Sequence, residues 1–100
     1  MKWLFLTSVL LTISVGSAQA NTIKNACMSS DRAGGNFALC GCIQQAANRT
    51  LSAQDQRLAA TFFRDPHRAQ EIRQSDRRSH ASFWERYRNF GNAAETFCRS

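Results

Sequence analysis

Strand-forming residues are nearly absent from most of this chain. Residues 21–100 contain no valine and three isoleucines, and no stretch alternates apolar and polar side chains. Half-buried strands are built from β-branched residues on a two-residue apolar period. The composition therefore argues against a sheet-based fold and leaves helices as the expected elements of this region.

Recognisable catalytic motifs are also missing. The chain has two histidines, His67 and His80, and no Ser, Asp or Glu stands at a familiar catalytic spacing from either of them. There is no nucleophile motif, no Gly-rich phosphate loop and no paired-carboxylate motif. Such sites need particular residues at fixed spacings. We therefore expect a protein that is not an enzyme and that needs neither a cofactor nor a metal ion.

Long apolar segments are absent after residue 20, and the apolar run before it is short. Residues 3–15 are mostly apolar, follow Met1-Lys2, and lead to the triplet Ala18-Gln19-Ala20. A membrane helix needs about 20 apolar residues, whereas this arrangement is typical of a cleavable secretory signal. We therefore predict a signal peptide over residues 1–20 and a single helical domain over residues 21–100, in a periplasmic or secreted protein.

Four cysteines are the clearest feature that is present: Cys27, Cys40, Cys42 and Cys98. In a small exported chain they predict two disulfides. If Cys40 and Cys42 lie on one helix, they are about 200° apart around its axis and point away from each other. We therefore expect one of the two to pair with Cys27 and the other with Cys98, and the choice stays open.

Disulfides matter here because the domain is small. A chain of this length buries only about 60% of its unfolded surface, and a bridge that closes a long loop typically contributes about 2–4 kcal/mol. Helix signals recur along the chain, while residues 21–35 are expected to form a loop or a short helical turn around Cys27. Three predicted helices run from Phe37 to about Thr50, from Ser52 to about Arg64 and from His67 to about Arg77. A fourth starts between Ser75 and Ser82 and continues into the C-terminal region. Gly91 lies inside this fourth helix, where it could cause a kink or an early end.

The apolar faces of these helices define the predicted fold. It is all-α, a small disulfide-stapled bundle of about four short helices. The predicted core consists of Leu39, Ile43, Leu58, Phe62, Ile72, Phe83, Tyr87, Phe90 and Phe97.

Arginine dominates the charge. Loss of Lys2 with the signal lowers the net charge from +6 to +5, and Lys24 is then the remaining lysine. Arg73, Arg77 and Arg78 lie close together in the sequence, and Trp84 follows them. Arg binds carboxylates with two parallel hydrogen bonds and stacks on aromatic rings. These four residues predict a binding face for an acidic envelope protein or an anionic surface. Nucleic acid is not expected as a physiological partner, because the protein is predicted to be exported.

Two other interpretations stay open. The Arg-rich segment also fits a solvated face with local ion pairs such as Arg68–Glu71 and Glu85–Arg88. Cys40-Gly41-Cys42 also fits a redox dithiol or a pair of soft-metal ligands, provided that both thiols are free.

Segments spread over nearly the whole of residues 21–100 resemble a known family. The segments that carry the resemblance are 38–44 (ALCGCIQ), 51–57 (LSAQDQR), 62–67 (FFRDPH), Ser75-Asp76 and 83–87 (FWERY). They are similar to small exported proteobacterial proteins of unknown function, some of which carry an automatic label of arginine transporter.

The resemblance implies at most an accessory solute-binding component of arginine uptake, since a small chain without a membrane span cannot conduct a solute across a bilayer. It brings no ligand residues with it. A cationic ligand would need converging acids, and Asp65, Glu71 and Asp76 are the clustered ones.

Overall fold

The computed structural model describes residues 21–31 and 35–99. The predicted signal peptide lies outside these residues. Within the described ranges the regular structure consists of helices joined by short connections, with no strand. The helices are α1 (Thr22–Met28), α2 (Phe37–Thr50), α3 (Ala53–Arg64), α4 (Pro66–Arg73) and α5 (Arg78–Cys98). The predicted all-α fold is confirmed, with α1 as a short additional helix around Cys27.

The starts of α2 and α3 follow from local chemistry. Gly35 turns the chain into α2 with a φ of 75°, a conformation that glycine adopts without steric cost. The Asn36 side chain then accepts a hydrogen bond from the Leu39 backbone N–H at 3.0 Å. The Ser52 hydroxyl accepts one from the Asp55 backbone N–H at 3.1 Å. Because these caps satisfy N–H groups that a first helical turn leaves without partners, both predicted starts are confirmed.

The end of α4 differs from the prediction. The helix stops at Arg73, one turn before the predicted end at Arg77. In the connection to α5, the Ser75 hydroxyl accepts a hydrogen bond from the Arg77 backbone N–H at 3.2 Å. Ser side chains compete with helical hydrogen bonds in this way. Helix α5 then runs through Gly91 without an interruption.

The two disulfides place α2 at the centre of the fold. Cys40 is bonded to Cys27 of α1, and Cys42 is bonded to Cys98 of α5. Helix α2 accordingly packs against both α1 and α5, while α3 packs against α1, α4 and α5. The predicted scheme is confirmed, and the structure adds which cysteine takes which partner.

The core is centred on aromatic rings from α3 and α5. The Phe62 ring meets those of Phe83 and Tyr87 edge-on, with ring centroids 5.9 Å and 5.2 Å apart. Edge-to-face pairs of this kind add to the stabilisation from burial itself. Of the predicted core, Phe62, Ile72, Phe83 and Phe90 are buried, while Ile43, Leu58 and Tyr87 are partly buried and packed against them. Leu39 is also partly buried but lies outside this cluster.

Phe97 was wrongly predicted to be a core residue, since it is 64% exposed. It follows the stripe of α5 but precedes Cys98, which faces α2. Successive residues on a helix differ by about 100°, so a helix end oriented by Cys98 turns Phe97 towards solvent. Ile23, which is 0% exposed, was missed because it belongs to the short helix α1.

A buried glutamine fastens α1 to the rest of the fold. Gln44 is 2% exposed. Its Oε1 atom accepts hydrogen bonds from the backbone N–H groups of Ile23 and Lys24 at 2.8 Å and 2.9 Å. Its Nε2 atom donates to Asn48 Oδ1 and Gln56 Oε1, both at 2.8 Å. One side chain thus caps the first turn of α1 and links it to α2 and α3.

Candidate functional site

The three predicted arginines surround the turn between α4 and α5. Arg73 is the last residue of α4, Arg77 is the N-cap of α5, and Arg78 is its first residue. All three are exposed. Among the residues that the structure describes, none of these guanidinium groups forms an ion pair or a hydrogen bond. We call these three residues the arginine cluster. Asp76 lies in the same turn, so three positive charges stand there against one negative charge.

The electrostatics of the adjoining helix end have the same sign. The first turn of α5 contains no acidic residue, and no side chain caps it. The N-terminal end of a helix carries a partial positive charge from its aligned peptide dipoles. The arginine cluster and the start of α5 therefore both favour negative charge at this end of the molecule.

Trp84 occupies a different position from the cluster. It lies well inside α5, is partly buried and packs against the core. Its ring centroid is 5.1 Å from that of Tyr87. Its predicted role as a partner anchor stays a prediction. In that role Trp84 would lie at the edge of the binding face rather than at its centre.

Local ion pairing is present, but upstream of the cluster. Arg68 Nη1 lies 3.1 Å from Glu71 Oε2, as predicted, and His67 Nε2 lies 3.8 Å from Glu71 Oε1. The Arg68–Glu71 pair neutralises charge along α4, whereas the predicted Glu85–Arg88 pair is not formed among the described residues. The two interpretations of the Arg-rich segment therefore apply to different parts of it.

A groove of about 470 Å³ lies between α3 and α5 and starts one residue beyond Arg78. It combines hydroxyl, amide, imidazole and guanidinium groups with an apolar floor. The lining residues are Gln54, Asp55, Leu58, Ser79, His80, Ser82, Phe83 and Arg86. The groove was not predicted, because no local pattern in the sequence indicates that these residues of α3 and α5 lie side by side.

One side of the groove is closed by an ion pair between Asp55 and Arg86. Arg86 Nε and Nη2 donate to the two carboxylate oxygens of Asp55 at 2.7 Å and 3.0 Å. The Asp55 side chain is 10% exposed and that of Arg86 46%. Hydrogen bonding from Arg86 lowers the pKa of Asp55 below its usual value, against the opposing effect of burial. The carboxylate of the groove is therefore ionised and already paired.

Ser75 and His80 order the entrance to the groove. His80 Nδ1 lies 2.7 Å from Ser75 Oγ, and the same hydroxyl oxygen accepts the hydrogen bond from the Arg77 backbone described above. The turn that carries the arginine cluster is therefore tied to the first turn of α5, which fixes the cluster relative to the groove.

The cysteine pair of Cys40-Gly41-Cys42 is divided between two bridges. All four cysteines lie within the described residues, and none of them is free. Cys40 and Cys42 each hold a different helix, so they do not form a dithiol with each other in this structure. The described residues also include no group of three or more His, Cys, Asp or Glu placed to hold a metal ion.

No helix in residues 21–31 and 35–99 combines the length and the apolar character that crossing a bilayer requires. No protein-family model, no curated protein and no solved structure matches this chain.

Proposed function

We propose that the protein is exported and acts outside the cytoplasm as a non-enzymatic binding module for an acidic partner protein. The arginine cluster is the contact surface, and the groove between α3 and α5 extends it. The observation that carries this proposal is the presence of three exposed guanidinium groups, at Arg73, Arg77 and Arg78, without carboxylate partners in the described chain.

Arginine suits such a contact for a chemical reason. Its planar guanidinium group binds a carboxylate through two parallel hydrogen bonds, which adds geometric specificity to the charge attraction. Arg is also enriched among the residues that dominate protein–protein binding energies. Three unpaired groups on one short turn can receive several carboxylates of a partner at once.

The groove offers the partner a second point of attachment. Ser79, His80 and Ser82 line it beside the cluster, and Leu58 and Phe83 form its apolar floor. A partner side chain with an apolar stem and a polar end fits this combination. Trp84 supplies a partly exposed ring farther along α5.

Export is supported by the predicted signal over residues 1–20 and by the two disulfides. Disulfides persist in oxidising compartments and are rare in the cytosol. The bridges are therefore compatible with a periplasmic or secreted protein. Mass analysis of the exported chain, with a first residue at Asn21, would test this part directly.

A charge-reversal experiment tests the binding surface. Purified protein is immobilised and used to recover partners from envelope extract, in parallel with a variant in which Arg73, Arg77 and Arg78 are changed to Glu. We expect the variant to lose the partner, and recovery by the wild type to fall as salt is raised, because exposed charge pairs are screened.

A matched control has the same change in charge at another site. Arg57, Arg64 and Arg88 are exposed and lie outside the cluster. Changing these three to Glu should leave recovery unchanged. Equal recovery by both triple variants and the wild type would contradict the proposed surface.

The arrangement gives less support to arginine as a ligand. The carboxylate of the groove belongs to Asp55 and is paired with Arg86, and Glu71 is paired with His67 and Arg68. A cationic ligand at either carboxylate would have to displace one of these partners. Of the clustered acids, this leaves Asp65 and Asp76, exposed and without an ion pair among the described residues, as those that such a ligand could reach. Calorimetry with free arginine at millimolar concentration distinguishes the two functions, and we expect no measurable binding.

A further inference from the structure

The two disulfides differ in their exposure. Cys27 and Cys40 are both 0% exposed, whereas Cys42 and Cys98 are partly exposed. Thiol–disulfide exchange requires a thiolate to reach one of the two sulfur atoms. An external thiol can therefore approach the Cys42–Cys98 bond in the folded protein, whereas the Cys27–Cys40 bond is sealed inside.

The surface beside Cys42–Cys98 is concave and largely apolar. Two open cavities of about 340 Å³ and 280 Å³ flank the bond, and Cys98 lines both of them. The side chains of Leu39, Ile43 and Ala94 contribute to their walls. Phe97, on the rim of the first cavity, is 64% exposed.

The charges at this surface favour an approaching thiolate. Arg99 follows Cys98 and lines both cavities. Its guanidinium group lies 3.6 Å from Glu95 in an exposed pair, which solvent screens. The Arg49 guanidinium lies 5.7 Å from the centroid of the Phe97 ring. Among the described residues at this surface, two cations and one carboxylate leave a net positive charge, which attracts the anionic form of an attacking cysteine.

From these observations we propose that Cys42–Cys98 is an exchange site for an extracytoplasmic dithiol oxidoreductase, which docks on the apolar surface formed by Leu39, Ile43, Ala94 and Phe97. The partner is identified by its chemistry: a reactive thiolate with a second, resolving cysteine. This site lies at the C-terminal end of α5, whereas the arginine cluster lies at its N-terminal end.

The exchange proceeds in two steps. The partner's thiolate attacks Cys98 Sγ, forms a mixed disulfide with it, and displaces Cys42 as a thiolate that takes up a proton. The partner's second cysteine then loses its proton, attacks the mixed disulfide, and releases Cys98 as a thiol. In total the Cys42–Cys98 disulfide takes up two electrons and two protons and becomes two thiols, and the partner's dithiol is oxidised to a disulfide.

Attack at Cys98 follows from its position. It lines both cavities, while Cys42 lines one of them, and it is the last residue of α5. A helix end moves more readily than the middle of a helix packed on two sides. The mixed disulfide therefore forms at the end of the helix, and reduction releases that end of α5 from α2 while Cys27–Cys40 continues to hold α1.

Limited reduction tests the selectivity of the site. The folded protein is treated with dithiothreitol, samples are quenched by alkylation at intervals, and the modified cysteines are located by peptide mass mapping. We expect Cys42 and Cys98 to be labelled at least about tenfold faster than the buried pair, which needs local opening first. Equal rates, or earlier reduction of Cys27–Cys40, would overturn the proposal.

Docking is tested with a protein dithiol, reduced thioredoxin, and two matched variants. Phe97→Ser removes the exposed ring beside the disulfide. Phe37→Ser removes a ring of nearly equal exposure, 67%, which lies against Lys24 and lines neither cavity. Circular dichroism confirms that both variants are folded.

We expect Phe97→Ser to lower the rate constant for thioredoxin about tenfold, the usual loss when one anchoring side chain is removed, and to leave the rate with dithiothreitol unchanged. Phe37→Ser should change neither rate. If Phe97→Ser leaves the thioredoxin rate unaltered, or lowers both rates equally, the docking surface is wrong. The charge-reversal experiment at the arginine cluster tests a different surface, at the other end of α5. Its outcome is therefore independent of the result for Phe97.

Discussion

Arg86 of α5 and Asp55 of α3 lie 31 residues apart and form an ion pair with two parallel hydrogen bonds. Asp55 is in the first turn of α3, where its charge also suits the positive end of that helix. The pair joins the two helices that carry the aromatic core. It also closes one side of the groove. The pair therefore both stabilises the fold and forms part of the candidate site.

Removal of Arg86 should destabilise the fold. Arg86→Ala leaves a mostly buried carboxylate without its two charged hydrogen bonds, and such losses cost about 1.5–3 kcal/mol. We expect the melting temperature to fall by several degrees in calorimetry. Arg88→Ala is the control, since Arg88 is exposed and makes no ion pair among the described residues. Equal melting temperatures for the two variants would contradict this role of Arg86.

The same pair predicts how stability depends on pH. Because Arg86 lowers the pKa of Asp55 in the folded chain, the pair stabilises the fold fully above the unfolded-state pKa of about 3.9. This contribution is lost as pH falls through the lower folded-state pKa. In urea titrations from pH 7 to pH 2, Asp55→Asn should be less stable than the wild type at pH 7. The difference should shrink below about pH 4, and a difference that does not vary with pH would refute this account.

Gln44 should be far less tolerant of substitution than its neighbour. Gln44→Leu leaves the backbone N–H groups of Ile23 and Lys24 without an acceptor, and each unsatisfied buried group costs about 1–3 kcal/mol. We expect α1 to detach, which hydrogen exchange at Ile23 would detect as lost protection. Gln45→Leu alters an exposed position of the same helix and should leave that protection intact. Retained protection in the Gln44 variant would show that the disulfide alone holds α1.

The two bridges should contribute unequally to equilibrium stability. Cys27–Cys40 spans 13 residues and Cys42–Cys98 spans 56. The chain-entropy relation gives about 3 kcal/mol for the shorter loop and about 4 kcal/mol for the longer. Replacing each pair with Ala and measuring urea unfolding tests this order. A larger loss for the shorter bridge would show that burial of Cys27 and Cys40 outweighs loop length.

Local features of the sequence predicted a large part of the fold. The starts at Asn36 and Ser52 depend on side chains that bond to the backbone three residues away, so nearby residues are enough to identify them. The separation of Cys40 and Cys42 on one helix was likewise sufficient to exclude a bond between them. Phe97 shows where this reasoning fails, because an apolar stripe identifies a helix face without showing how far along the helix a neighbour covers it.

The candidate site was likewise predicted from the sequence only in part. The three arginines of the cluster lie close together in the sequence, so sequence patterns could propose them as a group, and their binding role stays a prediction. The groove and the Asp55–Arg86 pair were not predicted, because their residues come from helices that only packing brings together. Sequence patterns hold no information on which of several arginines will find a distant carboxylate.

By itself the sequence determined that this chain is helical, where most helices begin, and that one cysteine of Cys40-Gly41-Cys42 joins each distant cysteine. These properties arise from contacts within a few residues or from helix geometry. The tertiary structure alone decided that Cys27–Cys40 is sealed and Cys42–Cys98 is open, and that Arg86 closes a groove beside the arginine cluster. Exposure and long-range pairing depend on how helices pack against each other, and that packing is a property of the whole chain.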